Sequence, residues 1–409
     1  MQQNFEDDLK QLCVLFPTTL DVEAIKQQRA MEPFAEEAID FLNALSQALT
    51  KDVRTRAYPD VATFAFFCRK ANILHIKGKY AFDEEYRLGR GIVFHIAPSN
   101  VPVNFAYSLL CGILAGNVNI VRVSIKEFEQ VAIISDAIAQ IHQTGNYDSI
   151  TQRIFLVRYN RQSTATSLFS SLCDVRVIWG GDETIATIRK SPLPARSFDI
   201  TFADRYSLCV INADVYCRDA NPETVASGFY NDTYLFDQNA CTAPHLLAWI
   251  GESGNVEHAK TIFWDALYQV VKQKYSEVQP VIAVDKLTAL YTQAIELDDV
   301  RKIASEDNLL WRVNIHSLPA NIDEFRCSCG YFSEIHIQSL SDLSAIINRK
   351  YQTLAYYGFS KEELSDFVKA NHPFGIDRIV PIGQTTEFSL NWDGYNLVEI
   401  LSREIIIKL

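Results

Sequence analysis

The feature that most constrains the fold lies between Gly89 and Lys190, where strand-like and helix-like segments alternate four times. Residues 92–97 read as a buried strand, and residues 103–115 as a helix that stops at Gly116-Asn117. Residues 118–123 are a strand again, and residues 126–142 a helix ended by Gly145-Asn146. Residues 154–157 and 163–172 form the third pair, and Val175–Trp179 and residues 182–190 the fourth, with Gly180-Gly181 between them. Four consecutive strand–helix units imply a mainly parallel sheet with helices on both faces. Such sheets take ligands at the carboxyl ends of their strands.

The flanks carry other textures. Before Gly89 the chain looks helical: Phe34, Ala38, Phe41, Leu42 and Leu45 recur at a helical period, and aromatics dominate residues 61–67. This region reads as a helical support layer. Pro192 to Pro194 mark a break. Beyond them residues 208–211 and 246–250 look like strands, and residues 222–231 and 256–274 like helices, in a second αβ block that runs to about Phe388. The tail holds Ile405-Ile406-Ile407, a β-rich run expected to pair with another sheet. The expected division is 1–88 support region, 89–205 dinucleotide-binding domain, 206–388 catalytic domain and 389–409 tail, a candidate oligomerisation strand.

Composition excludes some classes. A chain of 409 residues with 48% hydrophobic and 22% charged residues is an ordinary globular mixture of two or three domains. With 38 Lys and Arg against 50 Asp and Glu, the net charge of −12 argues against a nucleic-acid scaffold and against general attraction to anionic membranes. The most apolar stretch, residues 92–116, is interrupted by His95, Pro98, Asn100, Pro102 and Asn104 and does not read as a membrane span. The polar, acidic residues 1–10 do not read as a secretory signal. Nine scattered cysteines, an odd number, fit a reducing cytoplasm.

Four segments are candidates for chemistry. In Ala97-Pro98-Ser99-Asn100-Val101-Pro102 two prolines stiffen a turn around an amide. A fixed NH₂ there is a good oxyanion donor, and an Asn bonding its own turn is the plain alternative. Arg122 ends the second strand, where a guanidinium suits a ribose 2′-phosphate; a surface arginine is the alternative. Gly180-Gly181 lets backbone approach a ligand ahead of a helix N-terminus, although Asp182 would sit awkwardly beside a phosphate, and a structural turn is the alternative. No G-x-G-x-x-G is present. Finally, Cys241 lies in a polar, turn-prone segment with Gln238, Asn239 and His245 close by, a setting that stabilises a thiolate; most other cysteines read as inert core. Cys327-Ser328-Cys329 lacks a second Cys/His pair at zinc spacing, so no metal site is expected.

Taken in order, these motifs resemble the aldehyde dehydrogenase superfamily. Ile96 to Pro102 looks like its I-x-P-x-N-x-P turn, and Gly116-Asn117 through Arg122 like its G-N-x-x-x-x-K strand with Arg for Lys. Ile178 to Gly181 is similar to its F-T-G-S segment, and Asn239-Ala240-Cys241 falls where the nucleophile of G-Q-x-C stands, with Gln238 in place of the glycine. Residues 351–359, 375–383 and Trp392-Asp393-Gly394 resemble more closely the acyl-CoA reductase branch, the fatty acyl reductases of bacterial luminescence systems. The resemblance spans about Gly89 to Arg403.

It implies an α/β, aldehyde dehydrogenase-like fold: a parallel-sheet cofactor-binding domain and an αβ catalytic domain. It implies NAD(P)H-dependent reduction of a fatty acyl-CoA or acyl thioester to the aldehyde through an acyl-enzyme on Cys241. Asn100 would hold the oxyanion, and His245 would relay a proton. Ala97, Pro98, Ser99, Arg122, Gly180 and Gly181 would bind NADPH, or NADH. It also implies a homo-oligomer and an acyl-protein ligase partner. Thr201 stands where hydrolytic members carry a water-activating Glu, and Thr is no base near neutral pH, which favours reduction over hydrolysis. Asp204 and Glu183 are the other acids in that neighbourhood. The alternatives are a thiol-dependent acyltransferase and a non-catalytic nucleotide-binding relative.

Overall fold

The segments that alternate in the sequence alternate in space. The computed structural model describes residues 12–80, 82, 86–275, 278–305 and 307–408. The expectation about residues 1–10 lies outside the described residues. The chain divides into two compact units, Met1–Ala203 with Leu390–Leu409, and Asp204–Ser389.

The first unit is built on a six-stranded sheet. Its strands are β1 (Cys13–Phe16), β3 (Ile92–Ile96), β4 (Val118–Arg122), β5 (Ile154–Arg158), β6 (Val175–Trp179) and β7 (Phe198–Phe202), while β2 (Tyr86–Gly89) lies apart. The order is β1-β5-β4-β3-β6-β7. The five strands β3 to β7 run parallel, with Ile96 beside Arg122 and Ile178. Every residue of β3 and β6 is buried, as expected of strands covered on both faces. The helix α1 (Glu36–Lys51) realises the expected periodicity, and α2 (Asn104–Leu114), α3 (Glu129–Gln143), α4 (Ala165–Leu172) and α5 (Asp182–Ile188) follow strands β3 to β6 in turn. Gly116 ends α2 with φ +82°; a Cβ there would lie 2.2 Å from the Met31 carbonyl oxygen, so only glycine fits.

Two strands of this sheet depart from the sequence reading. The support region is not purely helical: Cys13–Phe16 pairs antiparallel with β5 and forms the sheet edge. Four residues are too few to show a period of two. Phe198–Phe202 extends the other side of the sheet beyond β6.

The second unit holds a seven-stranded sheet. Its strands are β8 (Tyr206–Asn212), β9 (Pro244–Ile250), β10 (Arg301–Lys302), β11 (Trp311–Asn314), β12 (Tyr331–His336), β13 (Tyr351–Tyr357) and β14 (Arg378–Pro381). Their order is β10-β11-β12-β9-β8-β13-β14, all parallel except the short β10. The helices α6 (Pro222–Thr233) and α7 (Ser253–Lys274) bury Phe229, Phe263 and Trp264 against Trp249 and Phe332. Each such side chain contributes about 2–3 kcal/mol of hydrophobic burial. The opposite face packs Tyr206, Leu246, Ile335 and Tyr351.

A small hairpin, β15 (Asn391–Trp392) and β16 (Tyr395–Asn396), precedes β17 (Ser402–Ile405). That last strand pairs antiparallel with β2 of the same chain, Ser402 beside Gly89. Ile406 and Ile407 lie beyond it and are exposed. Among the described residues no helix is long and apolar enough to cross a membrane.

Candidate active site

The expected cofactor residues come together at the carboxyl edge of the first sheet. Ala97, Pro98 and Ser99 leave β3, Arg122 ends the neighbouring β4, and Gly180 and Gly181 follow β6 on the other side. The Ala97 N–H donates to the Arg122 carbonyl at 3.0 Å. Asn100 is exposed in the turn that follows. The Arg122 guanidinium lies over the Tyr159 ring, 4.8 Å from its centre, and donates to the Tyr159 carbonyl at 3.4 Å. Its Nε is buried without a partner. Burial lowers its pKa, and the nearby charge of Arg161 acts in the same direction. A cation held half-buried beside a second cation, with an unused donor, fits an anionic ligand and so fits the phosphorylated ribose of a dinucleotide. Gly181 leaves open space where a Cβ would stand. Asp182 and Glu183 occupy the first turn of α5, so that helix start is acidic and suits a phosphate poorly.

Beneath this edge lies a polar network that the sequence reading missed. His95 Nε2 meets Asn119 Oδ1 at 3.1 Å, and His95 Nδ1 meets Ser108 Oγ at 2.8 Å. Asn119 Nδ2 donates to the Asn117 carbonyl, which leaves Oδ1 to accept from the ring. The Nε2–H tautomer follows, and Nδ1 accepts the Ser108 hydroxyl proton. Trp179 Nε1 in turn donates to Ser108 Oγ at 3.1 Å, and the indole stacks on Phe202 with centres 3.7 Å apart. Burial pushes the His95 pKa down to about 4. One neutral imidazole therefore links β3, β4, α2 and, through Ser108, β6. Its signal in the sequence was a lone His inside an apolar strand.

Cys241 lies in the second unit, in the turn that leads from α6 into β9, at the amino edge of that sheet. Its thiol is partly exposed. Two residues fix the turn. Ser207 Oγ on β8 donates to the Cys241 carbonyl at 2.7 Å and accepts the Thr353 N–H of β13 at 3.1 Å. Gln238, 1% exposed, donates through Nε2 to the Pro244 and Tyr331 carbonyls, both at 3.0 Å. Its Oε1 accepts the Gly330 and Tyr331 N–H groups at 2.9 and 3.1 Å. Asp237 and Gln238 have φ of 52° and 60°, a left-handed pair strained for non-glycine residues. The Gln352 side chain, on β13, donates Nε2–H to Cys241 Sγ at 3.5 Å.

The remaining candidates are placed as follows. His245 is the second residue of β9, 8% exposed, with its ring stacked on Tyr206 at 5.7 Å. Its Nδ1 is buried without a partner, and burial, aided by the charge of Arg326, pushes its pKa down to about 3. The ring is thus held neutral, packed against Tyr206 at the start of the strand that follows the Cys241 turn. Asp204 is engaged with Arg326 at 2.5 Å and Lys350 at 3.6 Å. Thr201 sits within β7, paired with Ile178. The Cys329 N–H donates to the Asp237 carbonyl at 3.0 Å, so the Cys327-Ser328-Cys329 loop braces the turn that carries Cys241. Burial raises the Cys327 thiol pKa. Among the described residues no group of three or more His, Cys, Asp or Glu side chains is placed to hold a metal ion.

Two mainly parallel sheets, the first edged by the Arg122 guanidinium and the second by the braced Cys241 turn, make up an aldehyde dehydrogenase-like fold. Solved structures show the same fold. Lactaldehyde dehydrogenase from Escherichia coli superposes with a TM-score of 0.64 at 10% identity, over 91% of this chain and 86% of that one. A 1-pyrroline-5-carboxylate dehydrogenase from Thermus with bound NAD gives a TM-score of 0.62 at 12% identity, over 97% and 81%. The chain belongs to the acyl-CoA reductase (LuxC) family, whose model matches residues 76–403. It is 27% identical over 305 residues to the long-chain acyl-protein thioester reductase of Vibrio harveyi, covering 73% of this chain and 60% of that protein. It is also 27% identical over 168 residues to the enzyme of the same name from Aliivibrio fischeri, covering 40% of this chain and 33% of that protein. The aligned region thus spans at most 60% of these curated relatives.

Proposed function

We propose that this chain reduces a long-chain acyl thioester, acyl-CoA or acyl-protein, to the aldehyde through an acyl-enzyme on Cys241, with NADPH as the preferred reductant. The observation that carries the reading is the seat of Cys241: a partly exposed thiol, an amide donor at its sulfur, and a turn bolted to three strands, in a chain of the acyl-CoA reductase family. The relatives named above are thioester reductases by name, which supports the substrate class.

Cys241 thiolate attacks the thioester carbonyl, and the substrate thiolate leaves. The Cys241 N–H and the Asn100 amide stabilise the oxyanion, each worth roughly 3 kcal/mol in such a role. When bound, a reduced nicotinamide supplies the hydride that converts the acyl-enzyme to a thiohemiacetal. Collapse of that species releases aldehyde and regenerates the Cys241 thiolate. Ala97, Pro98, Ser99, Gly180 and Gly181 would line the edge that takes the dinucleotide, and Arg122 would hold its 2′-phosphate. Thr201, in place of a water-activating carboxylate, leaves the acyl-enzyme to reduction. The reading extends to a cytoplasmic homo-oligomer that receives acyl groups from a ligase.

The test is mass spectrometry after mixing with a long-chain acyl-CoA and no reduced cofactor. An acyl adduct on the Cys241 peptide is expected, together with NADPH consumption once cofactor is added. The same adduct on Cys241→Ala protein overturns the assignment. An adduct in the wild type without NADPH consumption indicates an acyltransferase instead.

A further inference from the structure

We propose that Gln352 is a catalytic residue, whose side-chain amide donates to the Cys241 sulfur and stabilises the thiolate both before acylation and when aldehyde is released. The inference rests on the reading of Cys241 given above. Gln352 is fully buried on β13, 111 residues from the cysteine in sequence, and its Nε2 is 3.5 Å from Sγ. A buried amide must spend its donors and its acceptor on partners, because leaving one unmet is costly. Here the amide orientation is set by its neighbour: Thr353 Oγ1 donates to Gln352 Oε1 at 3.3 Å, which turns the NH₂ toward the sulfur. The backbone holds the pair in register. The Asp377 N–H donates to the Gln352 carbonyl at 2.8 Å, and the Thr353 N–H donates to Ser207 Oγ, which itself donates to the Cys241 carbonyl. Cysteine, serine, threonine and glutamine thus close a ring of hydrogen bonds across β8, β13 and the nucleophile turn.

A neutral thiol gains little from an N–H donor, whereas a thiolate gains a charge-assisted bond. The donor therefore favours the ionised form and raises the fraction of reactive sulfur at neutral pH. The sulfur of an acyl thioester carries little charge, so the bond is weak in the acyl-enzyme. It strengthens again when the thiohemiacetal oxyanion collapses. In that step the C–S bond breaks, its electron pair returns to sulfur, and the carbonyl double bond re-forms. An interaction stronger at the departing thiolate than in the thiohemiacetal accelerates this step.

The experiment follows the pH dependence of Cys241 alkylation by iodoacetamide, read by peptide mass spectrometry, in the wild type, Gln352→Met and Gln352→Glu. Met keeps the shape and removes the donor; Glu replaces the donor by an anion. An upward shift of about one pH unit is expected for Gln352→Met, a tenfold loss of thiolate below the midpoint, and a larger shift for Gln352→Glu. Unshifted profiles in variants with wild-type thermal midpoints overturn the inference. In the wild type, the Gln352 side-chain ¹⁵N–H resonances should move with the alkylation midpoint, and their immobility overturns it without any variant. A wild type that alkylates but takes up no acyl group from acyl-CoA instead overturns the reading of Cys241.

Discussion

Ser207 and Cys241, 34 residues apart, are joined side chain to backbone: the Ser207 hydroxyl donates to the Cys241 carbonyl at 2.7 Å. Ser207 is fully buried, and its hydroxyl holds the Cys241 turn to β8 while accepting from β13. Ser207→Ala removes a donor and leaves the Thr353 N–H without its acceptor, a loss of about 1–3 kcal/mol. The expected result is a folded protein with a lower urea midpoint and slower acylation of Cys241 at every pH. A change in the alkylation pKa as large as that of Gln352→Met would contradict the separate roles given to the two residues.

Gln238 is the stronger structural bolt. Its amide makes four hydrogen bonds, and its backbone stays left-handed although it has a Cβ. Gln238→Gly relieves the backbone strain, worth about 1 kcal/mol or more, but leaves the Pro244 and Tyr331 carbonyls and the Gly330 and Tyr331 N–H groups unmet. The losses outweigh the relief. Loss of the acyl adduct on Cys241 and increased proteolysis near residues 237–243 are expected. A variant of wild-type stability and acylation rate would show that these bonds do not hold the turn.

The two sheets differ in how far they were legible in the sequence. Strands β3 to β6 are mostly apolar and almost wholly buried, and glycines punctuate the helix ends between them, so their order could be read directly. β1, β10 and β14 are short edge strands with few buried residues, and nothing local distinguishes them from loops. Cys241 and Arg122 stand out in the sequence because a reactive type lies in a suggestive local setting. Ser207, Gln352 and His95 do not, because their meaning comes from partners 34, 111 and 24 residues away. Hydrogen-bond partners at that separation leave no periodic trace in the sequence.

Arg122 predicts the cofactor preference. Its guanidinium is half-buried over Tyr159, has a spare Nε and is near a second arginine. A 2′-phosphate there would gain a charge-assisted contact worth about 1.5–3 kcal/mol. Arg122→Gln should raise the dissociation constant for NADPH tenfold or more and change that for NADH little, as read by quenching of intrinsic fluorescence. An unchanged ratio of the two constants would remove Arg122 from the 2′-phosphate site.

His95 predicts how the protein responds to acid. Its folded pKa, pushed down to about 4 by burial, lies below the ordinary histidine value near 6.5. The unfolded chain therefore binds this proton first. The stability that depends on a neutral His95 is complete above about pH 6.5 and is lost progressively as pH falls toward 4. Between pH 7.5 and pH 5 the loss from this one group is about 2 kcal/mol. Asp232 acts in the opposite sense: burial raises its carboxyl pKa to about 6, so its contribution improves as pH falls over the same range. Urea midpoints at the two pH values should therefore fall less for His95→Asn, which cannot titrate, than for the wild type. The variant starts lower, because Asn is too short to reach both Ser108 and Asn119. Parallel losses in the two proteins would show that His95 does not titrate on unfolding and that its neutral, two-bonded state is not what holds β3 to β4 and α2.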